Sequence, residues 1–162
     1  MINNEYRKIV LTKMHEILKP KEFRKKDNNF FKQENDVYLV IQLQSSMFSS
    51  QNDLNLTVNL GVFSTLIKQS FSALNNPSLV NSHWRERIGF LNEKKFDKWW
   101  TITNFDEAEM TGREISKLLQ EKVLPVLHSL NSTAKLTSLW EKGERTGITD
   151  YERQNFLEIL KS

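Results

Sequence analysis

Cysteine is absent from this sequence, and its absence excludes several kinds of chemistry. The chain can form neither disulfides nor thiolate-based catalytic or zinc sites. Long hydrophobic runs are missing as well, because no stretch approaches the roughly 18 apolar residues of a membrane helix. Residues 1–10 carry Glu5, Arg7 and Lys8 in place of the apolar core of a signal peptide. We therefore expect a soluble cytoplasmic protein.

Residues suited to catalysis or cofactor binding are also scarce. The three histidines, His15, His83 and His128, form no HExxH motif and no pair at i, i+4 of the kind that binds zinc. The five glycines are scattered, so the sequence contains no phosphate-binding loop. We predict no catalytic residue, no metal site and no cofactor.

Size and composition indicate an ordinary globular protein. The 162 residues are 38% hydrophobic and 27% charged, and a chain of this length can bury a core without metals or disulfides. We predict one domain over residues 1–162, with an N-terminal helix in 1–20, a strand-rich middle in 21–104 and C-terminal helices in 105–162. This order predicts an α+β fold, in which an antiparallel sheet of five to six strands has the terminal helices packed on one face.

Two segments in the middle of the chain alternate between apolar and polar residues, as strands do. They are Val37–Gln44 and Leu54–Phe63. Short polar links between neighbouring segments favour antiparallel pairing, because parallel strands need a long crossover. Gly61 indicates a bulge or the close approach of another part of the chain.

Helical periodicity precedes and follows these strands. Glu5–Leu18 repeats apolar residues at spacings of three and four. Asp106 is the expected N-cap of a second helix, which Pro125 should kink or interrupt. Thr149–Glu152 fits a capping box that opens a last helix. The pattern of Thr65–Leu74 fits either a helix or an irregular segment.

Two further strands are predicted over His83–Leu91 and Lys98–Thr103. Alternation along the first of them divides its side chains between the two faces of the sheet. The residues expected to face the core are Trp84, Glu86, Ile88 and Phe90. The opposite face supplies a candidate ligand-binding site, which consists of His83, Arg85, Arg87 and Trp100 (or Trp99), with Asn59 on a neighbouring polar row.

This candidate site has two interpretations. Guanidinium groups, an imidazole and an indole can hold a carboxylate, a phosphate or a nucleobase by bidentate hydrogen bonds and stacking. Alternatively, the uncovered face of a one-sided sheet is polar in any case, and Glu86 or an acid on a neighbouring strand neutralises either arginine. Two further polar rows would merge with the arginine row under both interpretations. One contains Asn55, Thr57 and Asn59, and the other contains Gln42 and Gln44.

The positive charge of the chain is concentrated near its start. Residues 1–32 hold nine Lys and Arg against four Asp and Glu, whereas residues 33–162 hold fourteen against sixteen. The segment Lys19–Lys26 offers cations to nucleic-acid phosphates, but it lacks any recognised nucleic-acid-binding motif. Lysines on a short edge strand also prevent edge-to-edge aggregation, which is the alternative explanation.

Several short motifs occur together in a characteristic order. A strand ends in Gln44-Ser45-Ser46, the next contains Val58-Asn59-Leu60-Gly61-Val62, and His83-Trp84-Arg85-Glu86-Arg87-Ile88-Gly89 and Lys98-Trp99-Trp100 follow. With the N-terminal helix and Phe23-Arg24-Lys25-Lys26, this combination resembles the bacterial family of uncharacterised proteins called DUF4304 over roughly residues 5–130. The resemblance implies one domain and assigns no activity.

Three functions remain open at this stage. The leading hypothesis is a non-catalytic binding or interaction domain, an accessory or immunity-like factor that blocks a protein partner. The first alternative is an enzyme for a small anionic substrate, with His83 as the acid or base and Arg85 or Arg87 as the anion clamp. The second is nucleic-acid binding through the basic N-terminal segment.

Overall fold

The computed structural model describes residues 2–47, 49–50, 52–67 and 78–162. Within these ranges the chain forms an open antiparallel sheet in the order β1-β2-β3-β4-β5, with β6 also pairing with β4. The strands are β1 Arg24–Lys26, β2 Asn29–Glu34, β3 Val37–Ser45, β4 Leu54–Ser64, β5 Trp84–Arg87 and β6 Trp100–Ile102.

Helices precede and follow the sheet, so the predicted α+β class with an antiparallel sheet is confirmed. They are α1 Ile2–Leu18, α2 Phe105–Leu118, α3 Leu124–His128, α4 Thr133–Glu141 and α5 Asp150–Lys161. A π-helical segment, Leu119–Val123, joins α2 to α3. Among the described residues, no helix is both long and apolar enough to cross a bilayer. The prediction for Thr65–Leu74 falls mostly outside the described residues.

One face of the sheet, the first face, carries the main core. The alternating apolar residues of β4 are fully buried there, as the pattern predicts. Helices α1 and α2 pack on this face. The ring of His15 in α1 lies 6.0 Å from that of Phe30 in β2, and Trp100 of β6 donates its indole N–H to Glu114 of α2 at 3.0 Å.

The second face is covered along most of β4, where Thr57, Asn59 and Phe63 are all buried. Phe63 of β4 is fully buried there and lies 4.8 Å from the ring of His83, which in turn contacts Phe156 of α5 at 4.9 Å. Beside them Gly61 passes close to Ser82, because an added Cβ would lie 2.5 Å from the Ser82 hydroxyl. The close approach predicted for Gly61 is confirmed, and α5 reaches the face opposite α1 and α2.

Strand β5 is shorter than predicted because it ends at Arg87. Residues Ile88–Leu91 form a 3-10 turn, in which Gly89 fits so tightly that an added Cβ would collide with the carbonyl oxygen of Phe96. The turn ends the alternation, so Phe90 is 37% exposed instead of facing the core. The expectation that Phe90 points inward is therefore wrong.

Helix α2 begins earlier than predicted. Its N-cap is Asn104 and not Asp106, because the Asn104 side chain accepts a hydrogen bond from the Glu107 backbone N–H at 2.8 Å. Asp106 lies in the first turn, where its charge is favourable to the helix dipole.

The interruption predicted at Pro125 takes the form of the π-helical segment. The buried residues Ile115, Leu119, Val123 and Leu127 are spaced four apart, and each such step in a regular α-helix rotates the side chain about 40° further. The wider π turn, in which the Leu124 N–H donates to the Leu119 carbonyl, keeps this row facing the core.

Candidate functional site

The part of the second face between β3 and β5 is organised around Asn59. Its side-chain amide donates to Gln42 at 3.2 Å and to Gln44 at 2.6 Å, both on the neighbouring β3. Its carbonyl oxygen accepts from the Nε of Arg87 on β5 at 3.3 Å. Asn59 is 5% exposed, so these bonds satisfy a buried polar group and join three strands.

The guanidinium of Arg87 is held from two further directions. Its Nη1 lies 2.6 Å from the carboxylate of Asp97, and its Cζ lies 5.2 Å from the centre of the Trp99 ring. The same carboxylate oxygen of Asp97 accepts the indole N–H of Trp99 at 3.1 Å. The three groups therefore contact one another at a partly exposed surface. We refer to Gln42, Gln44, Asn59, Arg87, Asp97 and Trp99 as the polar patch.

Arg85 lies on the same face, next to Gly61 in the register of β4 and β5. Together with Asn59 and Arg87 it lines a shallow cleft of about 370 Å³. The backbone N–H of Arg85 donates to the carbonyl of Thr146 at 3.3 Å. Two arginines and an amide therefore meet in this cleft.

Glu86 lies between the two arginines in sequence and also lines the cleft. Burial raises the pKa of its carboxyl, although a hydrogen bond from the Arg87 backbone N–H and the charge of Lys95 oppose the rise. Because Glu86 lies opposite Leu60 in the register of β4 and β5, its carboxyl group points to the first face, as the alternation predicts, and is partly buried there.

His83 does not reach the polar patch, because its side chain is fully buried under Phe156. Its Nδ1 accepts a hydrogen bond from the Ser64 backbone N–H at 2.9 Å, so the ring proton is on Nε2. Burial, and to a smaller extent the charge of Arg85, lower the pKa of His83 to about 4. The structure corrects its placement with the arginines on an open face and makes it a neutral packing residue.

Trp100 is also misplaced in the sequence-based site. It pairs with Leu56 on the first face and is 6% exposed. Because β6 spans only Trp100–Ile102, alternation about Trp100 puts Trp99 on the second face, where it stacks on Arg87. Trp99, which the sequence left as the second possibility, takes the place assigned to Trp100.

Asp97 is the residue that sequence reasoning did not name. An acid on a neighbouring segment was expected in general terms, and Asp97 fills that role for Arg87. Its position two residues before Trp99 is the available signal, because side chains two apart share a face in an extended segment. With Arg87 already paired, the two arginines do not form an uncompensated anion clamp.

Comparison with known proteins identifies the family of this chain. The model of a family described as a domain of unknown function, DUF4304, matches residues 14–129. The chain belongs to the DUF4304 family. No curated protein and no solved structure matches it. The DUF4304 region ends just after α3 and includes every residue of the polar patch.

Proposed function

We propose that this DUF4304 protein is a non-catalytic interaction domain, an accessory or inhibitory factor that binds a protein partner through the polar patch. The observation that supports the proposal is that Arg87, Asp97 and Trp99 contact one another at the surface. Arginine and tryptophan are enriched among the residues that dominate protein–protein binding energies. Side chains that are already ordered lose little entropy when a partner binds.

The surroundings of Arg87 support the same proposal. Trp99 is only partly buried, so one part of its surface remains available for contact. Gln42 and Gln44 are partly exposed and contribute amide groups, which can both donate and accept hydrogen bonds. A surface that combines an indole ring with an arginine contains residue types that are enriched at protein interfaces. The proposal includes a location in the bacterial cytoplasm.

The enzymatic alternative receives no comparable support. It requires His83 as an acid or base, and the neutral His83 ring lies between Phe63 and Phe156. For nucleic-acid binding, the basic residues Arg24–Lys26 form β1 at the edge of the sheet, a position that agrees with edge protection.

Quantitative capture of partners from a cell lysate tests the proposal. The Arg87→Ala and Trp99→Ala variants should each lose at least about tenfold in the yield of a partner that the parent captures. Arg113→Ala is the matched control, since Arg113 is an exposed arginine on α2, away from the patch. Retention of every partner by both patch variants would rule out the patch as the site.

A further inference from the structure

A second cleft lies on the other side of the molecule, between β2 and the helix α3. Its volume is about 490 Å³, within the range of small-molecule sites. It is separate from the polar patch, and no residue of the patch lines it. The apolar lining residues are Phe23, Leu39, Leu124, Pro125 and Leu127.

The floor of this cleft is hydrophobic and firmly packed. Phe23, Leu39 and Leu127 are buried members of the main core. Leu124 is half-buried and Pro125 is exposed, so both present apolar surface to an occupant. A hydrocarbon group that fills the cleft would remove this surface, and its own, from water.

The rim carries an excess of positive charge. Lys32 pairs with Glu34 at 2.9 Å, and its ammonium lies 5.9 Å from the Phe23 ring. Burial would raise the pKa of Glu34, but hydrogen bonding and charge from Lys32, together with Asn131 and His128, outweigh this and lower it. Glu34 is therefore ionised and already compensated.

Lys21 is the second lysine of the rim. In the described part of the chain it has no ion pair, and it is exposed at the end of the 3-10 turn Lys19–Lys21. With Glu34 neutralised by Lys32, the ammonium of Lys21 gives the cleft a net positive charge. An anionic group above the hydrophobic floor would complement it.

The π-helical segment forms part of the same cleft. Gln120 lines it, and the irregular turn leads directly into Leu124 and Pro125 on its wall. Segments of π-helix are frequent at functional sites because they displace side chains from the regular helical path.

We propose that this cleft binds an amphipathic organic acid, with its hydrocarbon part on Phe23, Leu124 and Leu127 and its carboxylate at Lys21. The proposal is independent of the polar patch. It assigns the charge preference to Lys21 and the affinity for the hydrocarbon to Leu124.

Octanoate and its neutral isostere octanamide are the probes. Binding to the full chain is followed by two-dimensional amide NMR, with shifts expected at Leu39 and Leu124. Octanoate should bind at one saturable site and about threefold or more tightly than octanamide, as expected for one exposed ionic contact. Equal affinities, or shifts that are scattered over the surface without saturation, would overturn the proposal.

Two variants assign the roles. Lys21→Ala should abolish the preference for octanoate over octanamide, whereas Lys142→Ala, at an exposed lysine on the C-terminal side of α4, should retain it. Leu124→Ala should weaken the binding of both probes severalfold without changing the ratio of their affinities. Arg87→Ala should bind octanoate like the parent. If Lys21→Ala still prefers octanoate to octanamide, the assignment of the charge preference to Lys21 is wrong. Unchanged far-UV circular dichroism will verify that each variant is folded.

Discussion

The neutral state of His83 makes the stability of this protein depend on pH in a way that one substitution can isolate. In the folded chain, burial lowers the pKa of His83 to about 4, whereas the unfolded chain keeps a value near 6.5. Between these values the unfolded state binds a proton that the folded state does not. The free energy of unfolding contributed by His83 is therefore fully present above pH 6.5 and is lost as the pH falls toward 4.

The size of the effect follows from the two pKa values. Between pH 7.5 and pH 5.0, His83 should lower the free energy of unfolding by about 2 kcal/mol. His83→Asn removes the titrating ring, and its side-chain oxygen can still accept the Ser64 N–H that now bonds to Nδ1. The smaller side chain will cost stability at both pH values, so only the difference between them is diagnostic.

Urea unfolding at the two pH values, for the parent and His83→Asn, measures this difference. The parent should lose about 2 kcal/mol more than the variant on acidification. Leu119→Ala is the control, because it destabilises the core on the other face of the sheet and keeps His83, so it should lose as much stability on acidification as the parent. Equal losses in the parent and in His83→Asn would refute the conclusion that His83 is buried and neutral.

Three substitutions near the C-terminus test the local backbone by thermal or urea unfolding. Gly143 and Gly147 both have positive φ, 90° and 77°, so the left-handed backbone alone should make alanine at either position cost about 1 kcal/mol of stability. Gly147→Ala should lose clearly more stability than Gly143→Ala, because the added Cβ would lie 2.6 Å from the Cβ of Arg85. Nothing lies within 4 Å of a Cβ added at Gly143. Equal losses of stability in the two variants would contradict this packing. Thr149→Ala should cost about 1 kcal/mol by breaking the reciprocal capping box with Glu152, and an unchanged midpoint would argue against the cap.

The strands that the sequence predicts well are those whose pattern depends on local alternation. The predicted bounds of β3 and β4 agree with the structure to within one residue at each end, because one of their faces is apolar throughout. The capping box at Thr149 was also predicted, since its two partners are three residues apart. Signals of this kind need no knowledge of distant contacts.

The errors arise where distant parts of the chain meet. Burial of His83 depends on Phe156, which is 73 positions away in sequence and belongs to another element. The orientation of Trp100 depends on its register with Leu56. Alternation within Lys98–Thr103 identifies two sets of side chains but cannot decide which set faces the core. The prediction that Asn59 and Arg87 share a face is confirmed, since both lie in strands whose register is set by buried partners.

The C-terminal segment has a consequence for the behaviour of the DUF4304 region in isolation. The family match ends at residue 129, whereas Thr146, whose carbonyl accepts from the Arg85 N–H, and Phe156, which closes over His83, lie beyond it. A chain cut after residue 129 would lack the Thr146 carbonyl at the outer edge of β5 and would expose the ring of His83 to other molecules. Such a fragment should self-associate through intermolecular strand pairing, which residues 130–162 hinder in the longer chain by occupying this edge.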